Sequence, residues 1–527
     1  MNVSAAAATP MSSTSLSHQQ ELREADRLLR MRNASASEAI CARVLAANPS
    51  NIDAHLIRAR ARQLQGLYDG MLACTDAAIA IDATHSIAQL IRIEALTALG
   101  EITNARNACN ALKSAASRND PTLLGRVAEL ETQLGAHATA LQTLRRAFHL
   151  QPDAPEIAYS LATAELAAGD IERAETLFDS VIARSPGDAD AYYNRSTLRT
   201  QTPERNHITE LETRLRNARD ARGEFGICYA LAKEHEDLGD YDASFSYLKR
   251  GADARHSLLQ YRVGTDIAAM KKIAATFNAD FFARDSKTVN EEGAVFIVGL
   301  PRSGTTLVDR ILSGHPDIES VGEVNDLALA ITRYGSGAEN KESLIERAAS
   351  MELTDIARQY RRATTERSEG ARFVIDKTPL NFLYLGIIAK AMPNAKIIHV
   401  ERDPMDVGFA MYKTLFRMGY PFSYNLTEIA RYIRAKTELM NHWREMIGER
   451  VTTIYYESLV ADQEGESRRL VSAVGLAWRP ECLEFHKNAA PTATASAAQV
   501  RQPLYSSSVG KWRHYEKHLS ELSAALV

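Results

Sequence analysis

The stretch Ala294-Val295-Phe296-Ile297-Val298-Gly299-Leu300-Pro301-Arg302-Ser303-Gly304-Thr305-Thr306 decides the fold of the second half of this chain. Its first six residues are a short apolar run containing β-branched side chains, the signature of a strand in a parallel sheet. Its last two residues open a helix whose Leu307, Ile311 and Leu312 fall on one face. Between strand and helix, glycines at both ends of a tight loop let backbone N–H groups converge, and the helix N-terminus adds partial positive charge. Strand, loop and helix stand in the order that builds a receptor for a phosphate group.

Working outward, the same alternation of short runs, turn residues and helical stretches continues from Asp280 onward and predicts an α/β domain. Further strands are expected at Arg372–Ile375, Ala395–Val400 and Val451–Tyr455, with a short one just before Glu323. The boundary with the first half falls near Phe277–Glu292. A Walker A loop has the spacing of residues 299–306 but needs Gly-Lys-Ser/Thr, and here Thr305 stands where the lysine would be. Without that lysine the loop is poorly equipped for β- and γ-phosphates with magnesium, whereas Arg302 and the hydroxyls of Ser303, Thr305 and Thr306, beside Gly304, suit a single 5′ phosphate.

Val298-Gly299-Leu300 followed by Pro301–Thr306 resembles the 5′-phosphosulfate loop of sulfotransferases that use 3′-phosphoadenosine 5′-phosphosulfate, above all the tyrosylprotein sulfotransferase family. About a hundred residues on, the strand ending at Val400 runs into Glu401-Arg402-Asp403-Pro404, which resembles that family's 3′-phosphate element. The resemblance implies that Arg402 grips the ribose phosphate. The family usually carries serine eight residues after this arginine, and Ala410 stands there.

The same resemblance assigns the chemistry. Glu323, in Ser320-Val321-Gly322-Glu323, matches the family's general base, and a carboxylate there can accept a phenol proton; the alternative is an acid that stabilises a helix N-terminus. Lys377, in Asp376-Lys377-Thr378-Pro379, matches a lysine that stabilises the transferring group, or is a solvated turn lysine. Arg302 shares that task through charge-assisted hydrogen bonds. Ser496 takes a place beside the leaving group, Lys511 of Lys511-Trp512 one on the cofactor, and Tyr456 contacts the cofactor or is a core tyrosine at a strand end. For metals, His514 and His518 are four apart on an expected helix with no further ligand set, and His399 in a strand reads as a core histidine, so no metal is expected.

The first half carries a period. Gly66, Gly100, Gly135 and Gly169 recur at intervals of 34, 35 and 34 residues, and Gly239 follows two periods later. Pro49, Pro152 and Pro186 mark the ends of helical pairs, and Ala105, Ala140 and Ala174 supply small residues five positions after three of the glycines. The pattern resembles the tetratricopeptide repeat, a helix-turn-helix unit that stacks into a solenoid. The repeat weakens around Thr200–Arg222, where an irregular pair is expected. Such a solenoid either holds an extended peptide or protein acceptor in its groove, or serves packing and homodimer formation.

Composition sets the frame. The 527 residues include 62 Lys and Arg against 66 Asp and Glu, a net charge of −4, which gives no global reason to expect a nucleic-acid or membrane partner. Five cysteines without a C-x-x-C pair argue against a disulfide framework or zinc ribbon and fit a reducing, cytoplasmic setting. No apolar run is long enough to span a bilayer.

The expected fold class is therefore α followed by α/β: a disordered tail over 1–18, an all-α tetratricopeptide-like solenoid over 19–275, and a P-loop-like three-layer α/β sulfotransferase domain with a central parallel sheet over 285–527. The expected activity is sulfuryl transfer from 3′-phosphoadenosine 5′-phosphosulfate to a hydroxyl, with protein tyrosine as the acceptor the resemblance favours. Transfer to a small phenol, lipid or sugar hydroxyl, a P-loop kinase, and a repeat scaffold with an inactive enzyme domain are the alternatives.

Overall fold

The computed structural model describes residues 13–114, 119–218, 220–338, 340–368, 370–416, 419–488, 500, 502–504 and 507–527. The chain condenses into two units, one formed by Met1–Arg118 with Asp326–Glu339 and the other by Asn119–Asn325 with Asn340–Val527. These units do not follow the linear division expected above, because the later repeats fall together with the sheet.

In the first unit the helices run Ser13–Arg30, Ala34–Ala47, Ile52–Leu64, Tyr68–Ile81, Ser86–Ala98 and Ile102–Ser114. The first of them begins inside the stretch expected to be a tail. Its neighbours are held by side-chain caps: Asn33, Asn51 and His85 each accept a hydrogen bond from a backbone N–H three residues on. A later segment, helix Asp326–Tyr334, docks on this array, with Leu329 packed against the cluster of Leu56, Tyr68 and Met71. Gly66 shows why the period is written in glycine. It turns the chain at φ +73°, and a Cβ there would lie 2.8 Å from the Thr332 carbonyl oxygen. Arg333 seals the contact on Asp69 at 2.7 Å.

In the second unit the array resumes with Pro121–Gln133 and continues through the pair Ala221–Asp237 and Tyr241–Ser257. Where the period weakens, the chain carries an isolated bridge between Thr202 and Arg205 and a short helix Ile208–Arg216. Tyr192, Leu198, Leu211 and Cys228 close the core across this irregular pair.

The sheet of the second unit comprises β1 (Ala294–Gly299), β2 (Ile318–Ser320), β3 (Phe373–Asp376), β4 (Lys396–Glu401) and β5 (Val451–Tyr455). β1 and β5 match the expected limits, and β3 and β4 lie one residue later than expected. All pairings are parallel, in the order β2-β3-β1-β4-β5. Alternation places the two faces: Val295, Ile297, Ile398 and Val400 meet helix Thr305–Leu312 on one side. On the other, Phe296 stacks on Tyr360 at 5.2 Å, and His399 faces Lys436 of helix Leu426–Ile447. Helix, sheet and helix make three layers. β1 leads leftward to β2 while β4 leads rightward to β5, so the strand order reverses between β1 and β4, where open α/β sheets hold their ligands.

Candidate active site

The loop after β1 has the backbone its glycines permit. Arg302 stands at φ +68° and Gly304 at φ +105°, both left-handed. A Cβ at Gly299 would fall 2.7 Å from the Val400 carbonyl, and one at Gly304 would fall 2.5 Å from the Tyr456 ring. The loop can therefore lie this close to β4 and Tyr456 only with glycine at both places. Ser303, Thr305 and Thr306 are buried, and among the described residues the Ser303 hydroxyl has no hydrogen-bond partner. Helix Thr305–Leu312 starts from Gly304 without a side-chain cap, so its first N–H groups have no side-chain acceptor at that position. A buried hydroxyl and uncapped backbone donors at one loop are what a phosphate oxygen needs, and the residues present fit such a group.

β4 runs beside β1 with Val400 opposite Gly299, which delivers Arg402 to the same loop. Its Nη1 donates to the Arg302 carbonyl at 3.1 Å, and its Nη2 donates to the Ser508 carbonyl at 2.5 Å. The guanidinium lies over the Tyr456 ring, 4.6 Å from its centre. The Asp-Pro that follows has its own task. Asp403 caps helix Pro404–Tyr412 by accepting from the backbone N–H groups of Met405 and Asp406, each at 3.0 Å, with proline in the first turn where no N–H is needed.

Glu323 and Lys377 come together from neighbouring strand ends. The Val321 N–H donates to the Ile375 carbonyl, and the Thr378 hydroxyl donates to the Val324 carbonyl at 3.0 Å, so the two segments stay zipped beyond β2 and β3. Lys377 then meets Glu323 with Nζ to Oε1 at 2.6 Å. Beneath them lies Asp309, buried on helix Thr305–Leu312. Burial holds the Asp309 carboxyl above the usual carboxylate range, against the downward pull of the Lys377 charge. The pairing brings a carboxylate and an ammonium together at neighbouring strand ends, groups that chemically can accept a proton and stabilise negative charge.

The family model described as the sulfotransferase family matches residues 294–480, and a tetratricopeptide-repeat model matches residues 131–196. Residues 294–480 thus carry a sulfotransferase-family domain and residues 131–196 tetratricopeptide repeats. An uncharacterized protein of Aquifex aeolicus is 27% identical over 366 residues, 67% of this chain and 47% of that protein. Protein-tyrosine sulfotransferase 1 of Danio rerio is 26% identical over 231 residues, 41% of this chain and 65% of that one. In both cases the match spans less than two thirds of the relative's length. The solved sulfotransferase domain of the Synechococcus PCC 7002 olefin synthase is 20% identical and covers 44% of this chain and 91% of its own, with a TM-score of 0.32.

The remaining expected residues are placed as follows. Tyr456 lies beside the loop and Arg402. Lys511 does not reach the loop by any hydrogen bond described: its ammonium pairs at 2.5 Å with Glu236 of helix Ala221–Asp237, which also receives Lys413 at 2.6 Å. Ser496 lies outside the described residues. Among the described residues no group of three or more His, Cys, Asp or Glu is arranged to hold a metal ion. His514 stacks on Tyr241 and His518 on Phe245, while His399 is enclosed between Lys436 and Arg444, where burial first and those cations next push its pKa well below the ordinary value. No described helix is long and apolar enough to cross a membrane.

Sequence reasoning missed Asp309, Glu236 and Ser508. An acid on a short helix reads as solvent-facing, and Glu236 and Ser508 acquire their places only through contacts distant in sequence.

Proposed function

We propose that this protein transfers a sulfuryl group from 3′-phosphoadenosine 5′-phosphosulfate to a hydroxyl acceptor, most fittingly the phenol of a peptide tyrosine. The observation that supports the reading is the 3.1 Å hydrogen bond from the Arg402 guanidinium to the backbone carbonyl of Arg302, which ties the end of β4 to the loop after β1 at the sheet's switch point. In this reading Ser303, Gly304, Thr305 and Thr306 bind the 5′ phosphate, Arg402 binds the ribose phosphate, and Tyr456 carries the Arg402 guanidinium on its ring. The donor supplies the sulfuryl group and departs as 3′,5′-bisphosphoadenosine. Glu323 takes the acceptor's proton, and Lys377 with Arg302 balances negative charge that builds on the transferring and leaving oxygens. Ser496 and Lys511 keep their proposed places near the leaving group and the nucleotide.

A tyrosine acceptor is in line with the protein-tyrosine sulfotransferases among the relatives, and the repeats over 19–275 are the part of the chain proposed to hold the acceptor peptide, with the catalytic domain over 285–527. Two measurements test the proposal. Calorimetry is expected to find 3′,5′-bisphosphoadenosine bound more tightly than magnesium-ATP, and the reverse order would reject sulfotransfer in favour of a kinase. Labelled donor is expected to mark Tyr-containing acidic peptides. Label confined to small phenols, lipids or sugars would overturn the tyrosine assignment while leaving the chemistry in place.

A further inference from the structure

Residues 507–518 are pinned across the Arg402 site at three points. At the first, the Ser508 carbonyl accepts from Arg402 Nη2 at 2.5 Å while the Ser508 hydroxyl lies 2.6 Å from the Tyr456 hydroxyl. At the second, the Gly510 N–H donates to Asp406 Oδ2 at 2.7 Å, on the helix that follows Arg402. At the third, Lys511 and the Tyr515 hydroxyl both bind Glu236, at 2.5 and 2.8 Å.

The chemistry of the first point is open-ended. Two hydroxyls bonded to each other use one of their two protons, and the other remains to donate to an anion. These hydroxyls stand beside a guanidinium, the group that best complements a phosphate. Ala410, on the helix that follows Arg402, brings no hydroxyl of its own. Ser508 brings one from a segment 106 residues away.

The third point explains what holds Ser508 there. Lys413 and Lys511 converge on the single carboxylate of Glu236, which lies in the last full helical pair of the array. A neutral residue at 236 would leave two ammonium groups facing each other without a counter-charge, and the segment would lose its anchor.

We propose that Ser508 is a further ligand for the ribose phosphate of an adenosine nucleotide, and that Glu236 is a positioning residue that holds the Ser508 segment on Arg402. The inference rests on the reading of Arg402 given above. It also makes the repeat array part of donor binding, in addition to any acceptor it presents.

The test titrates the full-length protein with 3′,5′-bisphosphoadenosine and with adenosine 5′-monophosphate, which lacks the ribose phosphate. Ser508→Ala is expected to weaken the bisphosphate roughly ten-fold, the worth of one hydrogen bond to a charged group, and to leave the monophosphate unchanged. Glu236→Gln is expected to produce the same selective loss, and Glu236→Asp to recover most of it. Equal losses on both nucleotides, or none on either, overturn the inference. If Glu236→Gln fails to fold, Ser508→Ala alone decides. A wild type that does not prefer the bisphosphate to the monophosphate defeats the reading of Arg402 itself, a separate outcome from variants that match a discriminating wild type.

Discussion

Lys377 and Glu323 share a 2.6 Å hydrogen bond across the boundary between interior and solvent: Lys377 is 1% exposed, while the Glu323 side chain is 42% exposed. The buried partner fixes the carboxylate without covering it, so an acceptor hydroxyl can approach the exposed oxygen. Glu323→Gln is expected to lower turnover by roughly 10²–10⁴ while the affinity for 3′,5′-bisphosphoadenosine stays within about two-fold. Steady-state rates with calorimetry on the same preparations check this. A parallel loss of nucleotide affinity would make Glu323 a structural residue.

Gly304 faces the Tyr456 ring, and Tyr456 in turn supports Arg402. Gly304→Ala combines a left-handed backbone with a clash, costing on the order of 1–3 kcal/mol. We expect a lower melting temperature and about ten-fold weaker bisphosphate binding. Unchanged binding would show that the loop does not depend on Tyr456.

Acid should find Glu236. Burial pushes its carboxyl up, but Lys413 and Lys511 outweigh burial and hold it at about 2, below the ordinary 4.5. A depressed carboxyl adds stability that is fully present above its unfolded value and is lost as pH falls from about 4.5 toward about 2. The wild type is therefore expected to lose melting temperature through this window more steeply than Glu236→Gln. Parallel curves would refute the pairing.

The five cysteines are all buried and unbridged. Burial raises the thiols of Cys41 and Cys482 to about 11 and Cys228 to about 12. A thiolate-seeking reagent is expected to modify essentially none in the native protein and all five after denaturation. Rapid native labelling of Cys228 would contradict its place in the core.

The parts legible in the sequence are those whose cause is local. β1, its loop and the following helix are consecutive, so their periodicity and glycines could be read directly; the repeat was legible because Gly66 and its successors mark each turn. β3 and β4 run one residue further than expected because Asp376 and Glu401, both charged, end strands expected to stop at the apolar Ile375 and Val400. Asp309 escaped because nothing in its neighbours announces burial. The Glu236 cluster was beyond reach for a different reason. Tyr515 lies 279 residues from Glu236, and no pattern along the chain specifies a pairing closed only by the packed fold.

Arg302 carries its side chain on a backbone turned to φ +68°, a conformation that costs an ordinary residue about 1 kcal/mol and glycine almost nothing. Selection for heat resistance alone would therefore favour glycine at this position and discard the guanidinium that the proposed reaction uses. A screen that scored only survival after heating would enrich tougher, idle molecules, and any thermostabilised form should be sequenced at 302 before its activity is trusted.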